Sequence, residues 1–194
     1  VEFEILFTVE EACESGRILL EKQILRGKQL ERSCGLENPM AKQLSRAAAD
    51  FLSWRESTDG LTILAGFPFF GDWGRDTMIA LPGCTLSRGD YESAKSLIRT
   101  FLAYEKDGLV PNLFPEGTSD PMYNTVDAAL LLINSVWMYY VRTQDQELVK
   151  EAYPVMERII AAYKAGTHHG IHMDTDSLIC AGQGLDQVTW MDVR

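Results

Sequence analysis

Apolar positions along the 194-residue chain change their period once, near the start. In the opening VEFEILF, Val1, Phe3, Ile5 and Phe7 alternate with Glu2 and Glu4, the two-residue period of a half-buried strand. From there the spacing becomes three and four. EEACESGRILLEKQILRGKQLER (10–32) and MAKQLSRAAADFLSWRE (40–56) join that spacing to a supply of Leu, Ala, Glu, Lys and Arg, and each predicts helix. A lone strand cannot bury its own face. Residues 1–8 are therefore expected to be the end of a preceding β domain, and residues 9–194 to belong to a helical one.

The following helices carry clear punctuation. SRGDYESAKSLIRTFLAYE (87–105) opens on Asp90 as N-cap, has apolar residues at Tyr91, Ala94, Leu97, Ile98, Phe101 and Leu102, and stops before Gly108. From Thr125 a longer helix is predicted, with Val126, Ala129, Leu130, Ile133, Val136, Trp137, Tyr140 and Val141 at helical spacing. QDQELVKEAYPVMERIIAAYKAG (144–166) contains Pro154, which predicts a short helix to about residue 152 and a new one beyond it. In GIHMDTDSLICAG, Ile171, Met173, Leu178 and Cys180 alternate around DTDS, a small β-hairpin near 171–180. The loops after Leu64, Glu105 and Leu178 are rich in Gly, Pro, aromatic and acidic residues, whereas those near 87–90 and 143–146 are short and plain. Helical hairpins with one decorated end predict an all-α bundle or α/α toroid. No repeat of fixed period supports a solenoid.

Composition narrows the partners. A chain that is 46% hydrophobic can bury a core, and its 18 Lys+Arg against 28 Asp+Glu give a net charge of −10 with the cations scattered. Nucleic acid and an anionic membrane surface are thereby disfavoured. The longest apolar stretch, 128–141, is too short to span a bilayer and is broken by Asn134 and Ser135. Nothing at the N-terminus has the form of a secretion signal, so a cytoplasmic protein is expected. The four cysteines, Cys13, Cys34, Cys84 and Cys180, make no C-x-x-C pair and read as reduced thiols. His168, His169 and His172 cluster, but no acid or thiolate follows at ligand spacing; neither a metal nor another cofactor is expected.

Three loop segments hold the candidate chemistry: AGFPFFGDWGRDT (65–77), GLVPNLFPEGTSDPMYNTVDA (108–128) and GQGLDQVTWMD (182–192). Each mixes aromatics with carboxylates or amides and ends where a helix begins. Sugars call for that mixture, because a pyranose packs its C–H faces on aromatic rings while its hydroxyls pair with Arg and Asp. A phosphate ligand would call for clustered cations or a GxxxxGK loop, and neither is present. Plainer readings stand beside these. Arg75 and Asp76 read equally well as a helix-start ion pair, with Asp76 capping; Trp73 and Trp190 as core; Asp120 as a turn former before Pro121; and Asp192 as a cap. Asp127, one turn into an apolar helix, needs a partner on either reading.

AGFPFFGDWGRDTMIALPG, FLAYEKDGLVPNLFPEG, PMYNTVDAALLLINSVWMYY and QVTWMD together resemble the signature segments of the amylo-α-1,6-glucosidase family, the C-terminal glucosidase domain of glycogen debranching enzymes. The resemblance runs from about residue 40 to the end. It implies a glucoamylase-like (α/α)6 toroid of six hairpins with a pocket at one end, a β-rich domain before it, and removal of α-1,6-linked glucose from glycogen or another branched α-glucan. Residue by residue, it implies that Asp192 is the general acid, that Arg75 and Asp76 grip the terminal glucose with Trp73 in the wall, that Tyr123, Asn124 and Asp127 line the pocket, and that Trp190 stacks near the scissile bond. Hydrolysis with inversion is implied, with a raised pKa expected for the acid.

The resemblance also implies a continuation past Arg194 that includes the catalytic base, so residues 1–194 are expected to be an inactive fragment of an active parent. The rest of that parent chain, or an oligomer, would cover the exposed helix faces. Two other readings stay open at this point. One is a non-catalytic α-glucan-binding α/α module, and the other is a helical scaffold whose aromatic loops are core.

Overall fold

In the computed structural model, residues 5, 14–67, 69–115 and 120–182 are described. The chain is mainly helical: α1 Gly16–Ser33, α2 Pro39–Ala49, α3 Gly74–Cys84, α4 Tyr91–Ala103, α5 Ala128–Thr143 and α6 Gln146–Ala165, with strands β1 Leu52–Arg55, β2 Gly60–Ile63, β3 His172–Met173 and β4 Ile179–Cys180. No described helix is long and apolar enough to cross a membrane. Cys34, Cys84 and Cys180 are free thiols. Residues 1–4 of the expected N-terminal strand, residues 6–8 of it, and Cys13 lie outside the described residues.

Helix α5 is the centre of the packing, lying against α3, α4 and α6. Its buried stripe is Ala128, Ala129, Leu132, Ser135, Val136 and Tyr139, three and four apart. Trp137 and Val141, which share the predicted periodicity, are instead 61% and 49% exposed. A helix apolar on nearly every side carries no pattern that selects its inner face. Its neighbours contribute Leu81 from α3, Leu97, Ile98 and Phe101 from α4, and Leu148 and Ile159 from α6, all fully buried.

Side-chain ties set the directions. The Arg75–Asp127 pair and a bond from Ser135 Oγ to the Met78 carbonyl run α3 parallel to α5. Lys95 to Asp145, Arg99 to Glu151 and Arg158 to Glu105 likewise run α4 parallel to α6. The start of α3, the end of α4, the start of α5 and the end of α6 therefore share one end of the bundle, and that end carries the long loops.

Local signals explain most boundaries. Asn38 accepts from the amides of Met40 and Ala41 ahead of Pro39, and Asp90 accepts from that of Ser93 at 3.3 Å. The hairpin near 171–180 is present, with His172 opposite Cys180 and Met173 opposite Ile179. Two expectations are corrected. The helix predicted over 40–56 ends at Ala49, and Leu52–Arg55 pairs antiparallel with Gly60–Ile63 around a turn that ends on Asp59 in the left-handed region. Leu61 and Leu52 then pack on the core.

Pro154, moreover, does not split the segment: α6 runs unbroken from Gln146 to Ala165. Pro154 and Lys150 are both exposed, so the Lys150 carbonyl that loses its helical donor faces water. The loss, about 3 kcal/mol, is offset by burying Leu148, Ala152, Val155, Ile159 and Tyr163 along one face, where a full-sized aliphatic side chain contributes about 1.5–3 kcal/mol.

The cap of α6 is also an electrostatic junction. Asp145 receives Lys95 Nζ at 2.6 Å, the amides of Glu147 and Leu148 at 3.0 and 3.2 Å, and the Tyr139 hydroxyl at 3.1 Å. The lysine contact first, and the capping amide after it, hold the carboxyl down to about 2. A carboxylate depressed on folding stabilises above its unfolded value of about 4 and loses that contribution as pH falls through its folded value. Asp145→Ala is expected to cost about 1–2 kcal/mol at neutral pH, and its deficit against wild type should shrink between about pH 4 and about pH 2. Urea unfolding at pH 7 and pH 2.5 measures this, and a deficit independent of pH would exclude the charged cap as its source.

Candidate active site

Two loops of the decorated end are joined by main-chain hydrogen bonds. The 65–73 loop closes on itself through Ala65 N to Gly71 O at 3.0 Å and Phe70 N to Gly66 O at 2.9 Å. Its exit is then stitched to the 108–127 loop: the Gly74 amide donates to Asn112 O at 2.8 Å, and the Phe114 amide to Asp72 O at 3.3 Å. Within the second loop, Asn112 N donates to Met122 O at 2.7 Å and Met122 N to Leu113 O at 2.9 Å. Residues 72–74, 112–114 and 122 thus form a narrow irregular strip. Glycine is required at position 74, because a Cβ there would lie 1.9 Å from the Pro111 carbonyl oxygen.

That strip places Trp73 at the N-cap of α3, half-buried, with Arg75 and Asp76 in the first turn. Arg75 is 3% exposed. Its Nε donates to both oxygens of Asp127, at 2.9 and 2.7 Å, and one Nη donates to Thr125 Oγ1 at 2.6 Å, whose hydroxyl in turn donates to Asp127 at 2.7 Å. The partner that Asp127 needs is therefore Arg75, and Asp127 sits at the N-cap of α5, not one turn inside it. A carboxylate there also meets the positive end of the helix dipole. Asp76 is partly exposed one residue further along and is not the N-cap.

Tyr123 and Asn124 enter from the same second loop. The Tyr123 hydroxyl donates to Tyr104 O at 2.8 Å, and burial pushes its phenol pKa up. Asn124 accepts from the Asn112 amide at 3.4 Å, and Asn112 is fully buried. Beneath them the Tyr163 hydroxyl of α6 donates to Val126 O at 2.5 Å, its phenol pKa pushed up by burial, with the Asp127 charge adding to the shift. Trp73, Arg75, Asp76, Tyr123, Asn124 and Asp127 are thus brought to one end by two stitched loops. Trp190 and Asp192 lie outside the described residues.

Several residues without a role in the sequence reading belong to this arrangement. Asp72, buried, forms an ion pair with Arg55 of β1. Phe67, Phe69 and Phe70 crowd one turn at the rim, and Phe69 is 88% exposed. Only the density of aromatics in AGFPFF hinted at the rim, and nothing local hinted at the tie to Arg55. Of the histidines, His168 and His169 line a cavity with Tyr123 and Leu109; His168 Nε2 is 3.3 Å from Asp107 and His172 Nδ1 2.8 Å from the Gly170 carbonyl. Among the described residues no three His, Cys, Asp or Glu side chains converge as a metal-ligand set.

Residues 46–194 match the family model described as amylo-alpha-1,6-glucosidase. Over 134 residues the chain is 31% identical to the glycogen debranching enzyme of Saccharomyces cerevisiae, an alignment that covers 63% of this chain and 9% of the yeast protein.

Proposed function

The chain belongs to the amylo-alpha-1,6-glucosidase family, and from that premise we propose that it supplies the terminal-glucose pocket and the general acid of a glycoside hydrolase acting on glycogen or a related branched α-glucan. The observation that carries the reading is the convergence of Trp73, Asp76, Tyr123, Asn124 and the Arg75–Asp127 pair at one end of parallel helices, on two loops held together by their backbones. An aromatic wall beside fixed carboxylates and amides suits a pyranose, whose apolar face stacks while its hydroxyls are counted by hydrogen bonds. The buried Arg75 acts here mainly through Asp127, which it holds in place by its Nε. Asp76 and Asn124 are assigned to the sugar hydroxyls, and the exposed Phe67, Phe69 and Phe70 to the rim over which the remaining glucan passes.

Cleavage of the α-1,6 bond then needs two carboxyl groups. Asp192 is assigned as the acid that protonates the departing glucan oxygen, with Trp190 stacked beside it, and a base that activates water on the opposite face is placed in the parent protein outside residues 1–194. The helical hairpins of α3 to α6 are read as part of an (α/α)6 toroid, residues 1–8 as the end of a preceding β domain, and the cytoplasm as the site of action. The test is proton NMR of a branched α-glucan bearing single α-1,6-linked glucose stubs, digested by the intact protein. β-Glucose should appear first and mutarotate afterwards. Early α-glucose would exclude inversion, and glucan binding without any release would favour a non-catalytic α-glucan-binding module.

A further inference from the structure

We propose that Arg55 and Asp72 are positioning residues for the glucose pocket: their buried ion pair locks the 65–73 loop to the β1–β2 hairpin and to the 112–114 strip, and thereby sets Trp73 and the first turn of α3. The inference rests on the pocket reading given above. Both side chains are more than nine-tenths buried. Arg55 Nε donates to Thr58 Oγ1 at 2.7 Å and Nη1 to Thr62 Oγ1 at 3.5 Å, so the guanidinium is aimed by its own hairpin. Its Cζ lies 3.6 Å from the centroid of the Phe114 ring, a cation–π contact. Phe114 is itself wedged edge-on against Phe101 and Tyr104 at 5.7 and 5.2 Å, and its amide holds the Asp72 carbonyl. One planar group thus touches the hairpin, the first loop and the second loop together.

A buried ion pair is a poor stabiliser, since desolving both charges consumes most of their attraction and an apolar pair of like size serves the core as well or better. Desolvation is visible in Arg55, whose guanidinium is lowered to about 10. What the pair supplies is direction: a flat fork accepts a carboxylate in few orientations. Asp72 and Arg75, three residues apart, are each held by such a pair, one to β1 and the other to the start of α5. Trp73 lies between the two anchors.

The experiment compares the intact wild-type protein with Arg55→Met/Asp72→Leu and with the near-isosteric Asp72→Asn. Thermal unfolding, the Kd for glucose by calorimetry, and KM and kcat for glucose release from stubbed glucan are read for each. Both variants are expected to unfold cooperatively above the assay temperature, with glucose Kd and glucan KM raised about tenfold or more, because a misplaced loop weakens every contact it carries, while kcat changes far less. Arg55→Lys, which keeps the charge and loses the flat stack, should fall between them and wild type. Wild-type Kd and KM in a folded double variant would overturn the proposal. So would loss of cooperative unfolding in both variants, which would make the pair a requirement of the whole fold. A wild-type protein that binds glucose without releasing it overturns the hydrolase reading and leaves the pair to be judged on Kd; one that does neither overturns both.

Discussion

Asp192→Asn in the intact protein is expected to slow glucose release from a branched α-glucan by about 10²–10⁴-fold, the contribution of general acid catalysis, with glucan binding nearly unchanged. The departing group is a sugar alkoxide, a poor leaving group unless protonated as the bond breaks. An amide of the same shape keeps the contacts of a carboxylic acid but has no proton to give. Two measurements separate this role from a binding role. KM, or a binding isotherm for the glucan, should stay close to wild type, and α-glucosyl fluoride, whose leaving group needs no proton, should lose much less rate than the glucan. An unchanged rate on the glucan would remove Asp192 from the mechanism, and an equal loss on both substrates would point to a fold defect.

The second large effect is structural. Asp127→Ala removes the carboxylate at both of whose oxygens the Arg75 guanidinium, 3% exposed, directs its Nε. Removing one partner of a buried pair costs about 3–5 kcal/mol; the carboxylate itself is about one-third exposed, which puts the expectation near the lower end. The substitution also removes the negative charge at the N-terminus of α5. Equilibrium unfolding in urea should show the midpoint falling with little change in slope. Asp127→Asn, which keeps an acceptor for Arg75, should lose clearly less. A loss below about 1 kcal/mol for the alanine variant, the scale of an exposed pair, would mean that Arg75 is compensated elsewhere and that the α3–α5 tie is not organised by Asp127.

What could be read from the chain alone divides by distance. Caps are local, and Asp90 and the DTDS turn behave in the structure as their neighbours require. The inner face of α5 was not legible, because Leu130, Trp137 and Val141 are as apolar as Leu132 and Val136 and only packing chooses between them. The β1–β2 hairpin was hidden by the helix-rich run before it, although Asp59 and Gly60 form a turn signal in hindsight. Pro154 shows the opposite failure: a strong local rule yields when the freed carbonyl can reach water and the helix buries a continuous face.

The site follows the same division. The company of Trp73, Arg75 and Asp76 with Tyr123, Asn124 and Asp127 was visible as motif, and the fold does bring those residues to one end. Their pairing was not visible. Arg75 meets Asp127 across 52 positions, and Asp72 meets Arg55 across a hairpin whose existence the sequence pattern concealed. No spacing rule covers such contacts, since they depend on which helices lie side by side.

The strip of 72–74, 112–114 and 122 is sewn almost wholly by amides and carbonyls. Every residue but proline brings the same donor and acceptor, so the side chains of the strip that carry no other contact are free to vary over generations without undoing the seam. Leu113, Met122 and the phenylalanines of the rim can drift while the frame beneath them holds still, and on the proposed function glucans of different branch shape would then be favoured. Gly74 is denied that freedom by its backbone, and Asp72, Asn112 and Phe114 by the contacts of their side chains. Directed evolution of branch preference should therefore find its productive changes at those side chains and leave that one glycine untouched.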